Sequence, residues 1–325
     1  MVFKDLRVER VENELGDALF KLYPNITNGF VKIGEKKWHL PYKYVDIINA
    51  TYNFEVRQND TWIVTYPRSG TTITQELIWL VANDMNFEQA HQRPLTHRFP
   101  YICSNAMDAL DVASCSSNVH KIIKSDLEFV QNQTSPRFIK THLPFDLLPT
   151  VKNSDCKIIY VARNPRDMVI SIILSYSIIL FNFHKNLTLY NYQGTFEQFC
   201  DLFLNNHMTW SPYWEHVKEA WAMRHRTNLL FLFYEDLIKD LPGNIKKVAE
   251  FFGKVYSDEQ IVKLAEHLKI ENFRENPMVN INSIKGFIRQ GKIGNWKELF
   301  TAEIEEKFSK WISDNLKDTN LTFPV

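Results

Sequence analysis

The sequence predicts a single α/β domain spanning residues 1–325, in which helices flank a central parallel β-sheet on both sides. Four short runs of β-branched and apolar residues lack clean alternation, which is typical of parallel strands buried on both faces. Helix-like segments lie between these runs, and no internal repeat, low-complexity tract or Gly/Ser-rich linker separates them. A chain of 325 residues is long enough for one large core, so one domain is the simplest prediction.

The first half of the chain supplies three of the predicted strands. The first, Thr61–Thr65, leads through a loop rich in glycine and hydroxyl groups into a helix-like run at 75–80. The second strand is predicted at Arg137–Thr141 and the third at Lys157–Ala162. Met168–Phe181 is the most apolar stretch, but it is shorter than the roughly 20 residues that a bilayer span needs. It therefore predicts a helix buried inside the protein.

The second half of the chain supplies the fourth strand and three further helices. The strand is predicted at Asn228–Phe233. Pro242 opens a predicted helix that runs to Phe252 and carries apolar residues on one face. Ser257–Gln260 has the pattern of a capping box before another amphipathic helix, and Ile304–Ile312 predicts a C-terminal helix. These apolar stripes indicate core packing rather than cofactor contacts.

The loop at 66–72, Tyr-Pro-Arg-Ser-Gly-Thr-Thr, is the most informative stretch of the chain. A strand that turns through such a loop into a helix directs several backbone N–H groups at one point. The positive end of the helix dipole also attracts anions to that point. Arg68 adds a fixed positive charge for a phosphate or sulfate. The loop lacks the Gly-x-x-x-x-Gly-Lys-Ser/Thr of a P-loop, and an ordinary capped strand–turn–helix junction is the alternative interpretation.

Polar or charged residues follow each of the other predicted strands. Lys140 and His142 lie at the end of the second strand, Arg163 follows the third, and Tyr234 follows the fourth. Ligands of open α/β sheets bind outside the carboxyl ends of the strands. We therefore expect these residues to meet at one site, beside the loop at 66–72.

His142 and Lys140 have side chains suited to catalysis of group transfer. An imidazole titrates near neutrality, where proton transfer is efficient, so His142 is a candidate general base. Lys140 would stabilise negative charge that develops on the transferred group. Taken alone, His142 is equally compatible with a structural histidine, and Lys140 with a solvated strand end.

Two arginines are candidates for holding a second anionic group. Arg163 precedes a possible helix start, and its planar, always charged guanidinium suits a phosphate dianion. Arg289 lies between two glycines at 286 and 291, in a segment suited to folding over an anion. The alternative interpretation of Arg163 is a surface ion pair with Asp167, which would contribute little to stability.

These segments, in this order, resemble the cytosolic sulfotransferase family. The family's phosphosulfate loop usually reads Tyr-Pro-Lys-Ser-Gly-Thr-Thr-Trp, close to the loop at 66–73. Lys-Thr-His-Leu-Pro at 140–144, Arg-Asn-Pro-Arg-Asp at 163–167 and Tyr-Glu-Asp at 234–236 also match family segments. The resemblance covers roughly residues 61 to 306. The chain is similar in particular to the insect cytosolic branch, which includes a retinol dehydratase.

The resemblance implies the transfer of a sulfuryl group from 3′-phosphoadenosine 5′-phosphosulfate (PAPS) to a hydroxyl. In the fold that it implies, a P-loop-like phosphosulfate-binding loop adjoins the parallel sheet of a single α/β domain. His142 would take the proton of the acceptor, while Lys140, Arg68 and the loop amides would stabilise the anionic transition state, by analogy with phosphoryl transfer. The family mechanism needs no metal, and no metal site is predicted. Adenosine 3′,5′-bisphosphate (PAP) would be the nucleotide product.

The resemblance also assigns a set of cofactor-binding positions. Arg163, Ser171 and Arg289 would hold the 3′-phosphate, and Tyr234 would line the nucleoside. The full set is Arg68, Ser69, Gly70, Thr71, Thr72, Ile73, Arg163, Ser171, Tyr234, Leu268, Ile270, Arg289, Gln290 and Gly291.

Four departures from the family pattern lie within this set. Arg68 replaces the usual lysine, and Ile73 replaces the tryptophan that stacks on adenine. The adenine-side segment Thr-Ser-Phe appears as Leu-Lys-Ile at 268–270, and Gln290 replaces a lysine beside Arg289. The loss of aromatic stacking on adenine predicts weaker nucleotide binding. Because of these changes, a catalytically weak protein that binds ligand and nucleotide remains an alternative interpretation.

Composition narrows the classes of partner. The formal net charge of zero gives no overall electrostatic case for nucleic acid or an anionic membrane surface. The N-terminus, with charges at Lys4, Asp5 and Arg7, does not have the pattern of a signal peptide. The four cysteines show no metal-ligand spacing and indicate free thiols in a reducing compartment. We therefore expect a cytoplasmic protein.

The expected acceptor is a small hydrophobic molecule with a hydroxyl: a phenol, a sterol-like alcohol or a retinoid. Aromatic stretches at 99–101 and 181–183 are candidates for lining its pocket, or for core packing. A retinol dehydratase-like reaction through a transient sulfate is one alternative activity. A P-loop-like kinase is another, although the chain lacks the lysine loop of that class.

The segment Lys297–Glu306 resembles the short C-terminal dimer motif of the family, Lys-x-x-x-Thr-Val-x-x-x-Glu, with Ala302 in place of valine. It predicts a weak homodimer, because a contact of this size buries far less than a standard interface. A helix start with an exposed charged face is the alternative interpretation of the same segment.

Overall fold

Two β-sheets form the framework of the chain. A computed structural model describes residues 6–102, 127–182, 192–279, 288 and 291–324, with the backbone alone at 174–182. The strands in these ranges are β1 (Val8–Arg10), β2 (Phe30–Ile33), β3 (Trp38–Pro41), β4 (Thr61–Thr65), β5 (Phe138–Thr141), β6 (Lys157–Ala162) and β7 (Leu229–Phe233). The first three form an antiparallel sheet, and the other four form a parallel sheet in the order β5–β4–β6–β7. The predicted central parallel sheet is confirmed.

The parallel strands agree closely with their predicted bounds. β4 and β6 have the predicted ends, whereas β5 and β7 each begin one residue later than predicted. Val64 of β4 pairs with Thr141 of β5, Thr65 pairs with Val161 of β6, and Ala162 pairs with Phe233 of β7. The four strands therefore end together, at one edge of the sheet.

The N-terminal antiparallel sheet was not predicted from the sequence. Its strands are only three or four residues long, and all four residues of β3 are buried, so no alternation marks the last of them. The sheet is tied to the rest of the molecule through His39, whose backbone N–H donates to the Ser211 carbonyl at 2.8 Å. The His39 carbonyl accepts from the Trp210 N–H at 2.9 Å. This sheet thus supports the 209–211 segment.

Helices cover both faces of the parallel sheet. They are α1 (Asn13–Leu22), α2 (Tyr44–Thr51), α3 (Thr71–Ala82), α4 (Phe87–Gln92), α5 (Leu95–Arg98), α6 (Pro149–Lys152), α7 (Pro165–Asn182), α8 (Phe196–Leu204), α9 (Tyr213–Ala222), α10 (Tyr234–Lys239), α11 (Leu241–Phe251), α12 (Asp258–Leu268), α13 (Ile270–Glu275), α14 (Trp296–Leu299) and α15 (Ala302–Leu316). The predicted helices correspond to α3, α7, α11, α12 and α15. The capping box before α12 is formed by Ser257 and Gln260.

The parallel sheet divides the hydrophobic core into two parts. Side chains on its first face pack with the N-terminal sheet and α9, and those on its second face pack with α3, α11 and α12. Successive residues of each strand alternate between the two parts, as the pleat of a strand requires. The first face carries Trp62, Val64, Ile139, Ile158, Tyr160 and Phe231, and the second carries Ile63, Phe138, Ile159, Val161, Leu230 and Leu232.

The described ranges also include every long helix assigned above and two of the four cysteines. Within the described ranges, no helix combines the length and the apolar character that crossing a bilayer requires. Cys156 and Cys200 are buried free thiols. Cys103 and Cys115 lie outside the described residues.

Candidate active site

The loop between β4 and α3 is shaped by two residues in the left-handed backbone region. Arg68 has a φ of 66° and Gly70 a φ of 93°. A Cβ at Gly70 would lie 2.3 Å from Cδ2 of Tyr234, so only glycine lets the loop and Tyr234 approach this closely. The first turn of α3 leaves backbone N–H groups of Thr71, Thr72 and Ile73 without intrahelical acceptors. The predicted anion-binding geometry is thus present at the end of β4.

Arg68, Arg163 and Ser171 meet beside this loop. Arg68 Nε donates to Ser171 Oγ at 3.2 Å, and Arg163 Nη1 donates to the Arg68 carbonyl at 3.0 Å. The Arg163 guanidinium also lies 4.3 Å from the centre of the Tyr234 ring, in a cation–π contact. Four of the residues assigned to the cofactor by resemblance therefore contact one another, although they come from four segments of the chain.

The ring of His142 is oriented by the end of β4. Its Nδ1 lies 2.9 Å from the Thr65 carbonyl oxygen. Thr65 Oγ1 lies 3.2 Å from the same nitrogen. The carbonyl oxygen is closer and can only accept, so Nδ1 carries the hydrogen and Nε2 keeps its lone pair. Burial, followed by the charge of Lys140, lowers the pKa of His142 well below its ordinary value of 6.5. The imidazole is therefore neutral near pH 7, with one basic nitrogen available.

Aromatic rings flank His142 on two sides. Tyr101 and Trp210 each make an edge-to-face contact with the imidazole, with centroids 5.3 and 5.9 Å away. Trp210 has a φ of 78°, an uncommon conformation for a bulky residue, and its ring also contacts Tyr44 at 4.8 Å. Aromatic rings therefore flank the base, and Lys140 is the charged group with the largest effect on its pKa.

Lys140 adds a second cation beside Arg68. Burial, followed by repulsion from Arg68, lowers the pKa of Lys140 from 10.5 to about 8. Its Nζ lies 4.9 Å from the centre of the Tyr101 ring. In the part of the chain that the structure describes, no carboxylate lies within ion-pair distance of Lys140 or Arg163. These charges are left for an anionic ligand.

The surface ion pair considered for Arg163 is not formed. The Asp167 carboxylate is buried and accepts instead from the backbone N–H groups of Gly294 and Trp296, at 2.7 and 3.4 Å. Arg163 is only 8% exposed. The structure thus supports the ligand-facing interpretation of this arginine over the surface pair.

The positions expected on the adenine side of the nucleotide are apolar, and the structure brings those that it describes into one region. Ile73 and Leu268 are buried members of the same hydrophobic core, and Ile270 packs against it. A Cβ at Gly291 would lie 3.3 Å from Cγ1 of Ile270, so these two residues adjoin. Arg289 and Gln290 lie outside the described residues.

Sequence reasoning missed several groups that hold the predicted residues in place. The Tyr213 hydroxyl donates to the Arg163 carbonyl at 2.6 Å, and Glu235 Oε1 accepts from the Asn164 N–H at 2.8 Å. Burial raises the pKa of Glu235 to about 7. Thr65 is a further such group, and its Oγ1 lies 2.7 Å from Thr71 Oγ1. The available signal for it was a polar side chain at the end of a buried strand.

Two buried polar atoms fit an anionic nucleotide ligand. Ser69 Oγ and Arg163 Nε have no hydrogen-bond partner among the described residues. Such groups are costly to bury unless a ligand or water pairs with them. Both adjoin the loop at 66–72, so the residues present fit a phosphosulfate and a second phosphate. The described ranges contain no group of three or more His, Cys, Asp or Glu residues placed to hold a metal ion.

Known proteins with similar sequences are sulfotransferases. Residues 58–320 match the sulfotransferase domain family. A luciferin sulfotransferase of Photinus pyralis is 30% identical over 98% of this chain and 89% of its own. Human sulfotransferase 4A1 is 33% identical over 83% of this chain and 85% of its own.

Solved structures agree with this result. A crystal structure of retinol dehydratase in complex with androsterone and the inactive cofactor PAP is 35% identical, with a TM-score of 0.84, and covers 98% of each chain. A complex of retinol dehydratase with retinol and PAP gives 35% identity and a TM-score of 0.83, over 98% of this chain and 99% of that chain. Mouse sulfotransferase SULT7A1, complexed with PAP, is 23% identical over 87% of this chain and 94% of that chain, with a TM-score of 0.66, and shows the shared fold alone.

The family match extends over most of the chain and includes the strand ends and the loop that form the site. It decides against the kinase alternative, and it agrees with the resemblance that the motifs indicated. The chain belongs to the sulfotransferase family and is an enzyme that uses PAPS as its sulfuryl donor.

Proposed function

We propose that the enzyme sulfates the hydroxyl of a small apolar molecule, with His142 as general base. The observation that carries this proposal is the hydrogen bond of 2.9 Å from His142 Nδ1 to the Thr65 carbonyl. This bond leaves Nε2 unprotonated, and the aromatic rings of Tyr101 and Trp210 flank the imidazole. A neutral imidazole with one free lone pair is suited to accept a hydroxyl proton.

The donor would be held by the loop and by the residues around Arg163. The backbone N–H groups of the first turn of α3 and the Ser69 hydroxyl suit the phosphosulfate. Arg163, together with Ser171 and the segment at 289–291, suits the 3′-phosphate, and Tyr234 suits the nucleoside. When bound, PAPS supplies the sulfuryl group and leaves as PAP.

The charges beside the loop have a separate role in the transition state. Lys140 and Arg68 lie close enough for Arg68 to lower the pKa of the lysine. Negative charge between them would be stabilised by both cations, because their fields are fixed before the reaction begins. Since the two cations repel each other without a ligand, an anion also relieves that repulsion.

The aromatic rings beside His142 favour a hydrophobic acceptor. The two retinol dehydratase structures contain androsterone and retinol, a steroid alcohol and a retinoid alcohol. A phenol, a sterol-like alcohol or a retinoid is accordingly the proposed acceptor class. Similarity to retinol dehydratase over 98% of the chain supports elimination of a transient sulfate as a second candidate activity.

We also propose that one domain spans residues 1–325, that the protein is cytoplasmic and that it forms a weak homodimer. Leu299 is 48% exposed and Ala302 is exposed, so both are available for a contact between copies. Thr301 caps α15, and its Oγ1 accepts from the Ile304 N–H at 3.3 Å. The segment Lys297–Glu306 thus includes a helix start, as in its alternative interpretation. We propose that the exposed residues at this helix start form the contact between two copies.

The acceptor proposal is tested with radiolabelled PAPS and a panel of phenols, sterols, retinoids, sugars and peptides. We expect one of the first three classes to draw label from PAPS, into an organic sulfate ester or, after elimination, into free sulfate, and no label to leave PAPS with sugars or peptides. Mass spectrometry of the product separates a stable sulfate ester from an alkene. Transfer restricted to sugars or peptides would contradict the proposed acceptor class.

A further inference from the structure

A buried tyrosine–histidine pair contacts the backbone of the proposed base. His216 lies on α9 and Tyr160 on β6, and their side chains are 1% and 0% exposed. His216 Nε2 lies 3.1 Å from the His142 carbonyl oxygen, and the Tyr160 hydroxyl lies 2.7 Å from His216 Nδ1. The three residues form a chain of hydrogen bonds from the middle of the sheet to the active site.

The direction of these hydrogen bonds follows from their chemistry. The His142 carbonyl only accepts, so His216 Nε2 must carry a hydrogen. Burial lowers the pKa of His216 to about 4, so its ring is neutral and has one N–H. Nδ1 is therefore an acceptor, and the Tyr160 hydroxyl donates to it. Tyr160 thus fixes the tautomer in which His216 can donate to His142.

Separate elements hold the backbone and the ring of His142. Thr65 on β4 fixes the ring through Nδ1, whereas His216 on α9 fixes the carbonyl. Lys140, two residues before His142, is held at the sheet edge, where its N–H donates to the Pro100 carbonyl at 2.8 Å. The end of β5 is thus tied to three neighbouring segments, at the point where the proton acceptor must be placed accurately.

We propose that His216 is a positioning residue for His142 and that Tyr160 sets the tautomer of His216. This inference rests on the proposed role of His142 as general base. Without the donor at His216 Nε2, the His142 carbonyl loses its partner and the base loses one of its two anchors. Displacement of a catalytic group by about 1 Å can cost about a hundredfold in rate. Neither His216 nor Tyr160 is among the residues proposed to bind the nucleotide, so affinity for the nucleotide should be unaffected.

The first test compares His216→Gln with His216→Met. The amide nitrogen of glutamine can take the place of Nε2 and donate to His142, whereas methionine has similar bulk and no donor. We expect His216→Met to lower kcat by about 10- to 100-fold, with the Kd for PAP unchanged. His216→Gln should recover most of that loss. His225→Met, at an exposed histidine just beyond α9, is the matched control and should behave as wild type.

The second test uses Tyr160→Phe, which removes one hydroxyl and keeps the ring. We expect a lower kcat with little change in Tm. The double variant with His216→Met should be no slower than His216→Met alone, because both changes act through one hydrogen-bond chain. Equal loss in the Gln and Met variants, or wild-type kcat in both, would overturn the positioning role. His142→Ala is measured in parallel to separate the two proposals. Retained activity in that variant would show that His142 is not the general base, whatever the His216 variants do.

Discussion

Gly70→Ala tests the close approach between the anion-binding loop and Tyr234. Gly70 has a φ of 93°, and an added Cβ would lie 2.3 Å from Cδ2 and 2.9 Å from Cε2 of the tyrosine ring. Contacts below 3 Å force the ring or the loop to move. Tyr234 is buried and packs against the Arg163 guanidinium, so its displacement also disturbs the proposed 3′-phosphate site.

The expected cost has two parts. Placing alanine in the left-handed region costs about 1–2 kcal/mol. Overpacking against a buried ring adds about 1–3 kcal/mol. Gly253→Ala is the matched control, because Gly253 has a φ of 65° and no atom within 4 Å of the added Cβ. The control should lose about 1–2 kcal/mol of unfolding free energy, from the backbone alone.

Urea denaturation measures the unfolding free energy of both variants, and calorimetric titration measures the Kd for PAP. We expect Gly70→Ala to be less stable than Gly253→Ala and to bind PAP at least about tenfold more weakly, a difference of about 1.4 kcal/mol. Gly253→Ala should bind as wild type. Equal stability and equal affinity in Gly70→Ala and the control would show that the approach of Tyr234 does not require glycine at position 70.

Three further predictions concern charge, metal and assembly. The pKa of about 8 for Lys140 predicts that kcat/KM for PAPS falls as pH rises above about 8, where the lysine loses its charge. Lys140→Arg should remove this basic limb from the pH–rate profile, and an unchanged limb would assign it to another group. Transfer should persist in excess EDTA, and complete loss that magnesium restores would contradict a mechanism based on lysine, arginine and backbone amides. Light scattering should show a concentration-dependent dimer, strengthened in Ala302→Val by roughly 1–2 kcal/mol per site, whereas monomer alone at high micromolar concentration would rule it out.

The parallel sheet could be predicted because its strands are buried on both faces and therefore appear as continuous apolar runs. β4 and β6 were predicted with their observed ends for this reason. The N-terminal sheet could not be predicted, since its strands are short and depend on a distant partner. The His39–Ser211 backbone contact joins residues more than 170 positions apart, a separation that leaves no local pattern.

The site was predictable at the level of motifs but not of contacts. The strand ends placed Lys140, His142 and Arg163 together, because parallel strands finish at one edge of a sheet. The tautomer of His142 depends on Thr65, and the anchor of its carbonyl depends on His216. Each of these partners is more than 70 residues away from His142 in the sequence. Such pairings follow from the fold and cannot be inferred from residue types or spacing.

Single-turnover transfer from radiolabelled PAPS, in wild type and in His142→Ala, tests the proposed mechanism most directly. Both proteins are first saturated with donor, and PAP titration confirms equal nucleotide affinity. Loss of a general base typically costs about 10²- to 10⁴-fold, so we expect a fall of that size in the rate of transfer with unchanged affinity. A variant that keeps more than half of the wild-type rate would contradict the assignment of His142 as the base.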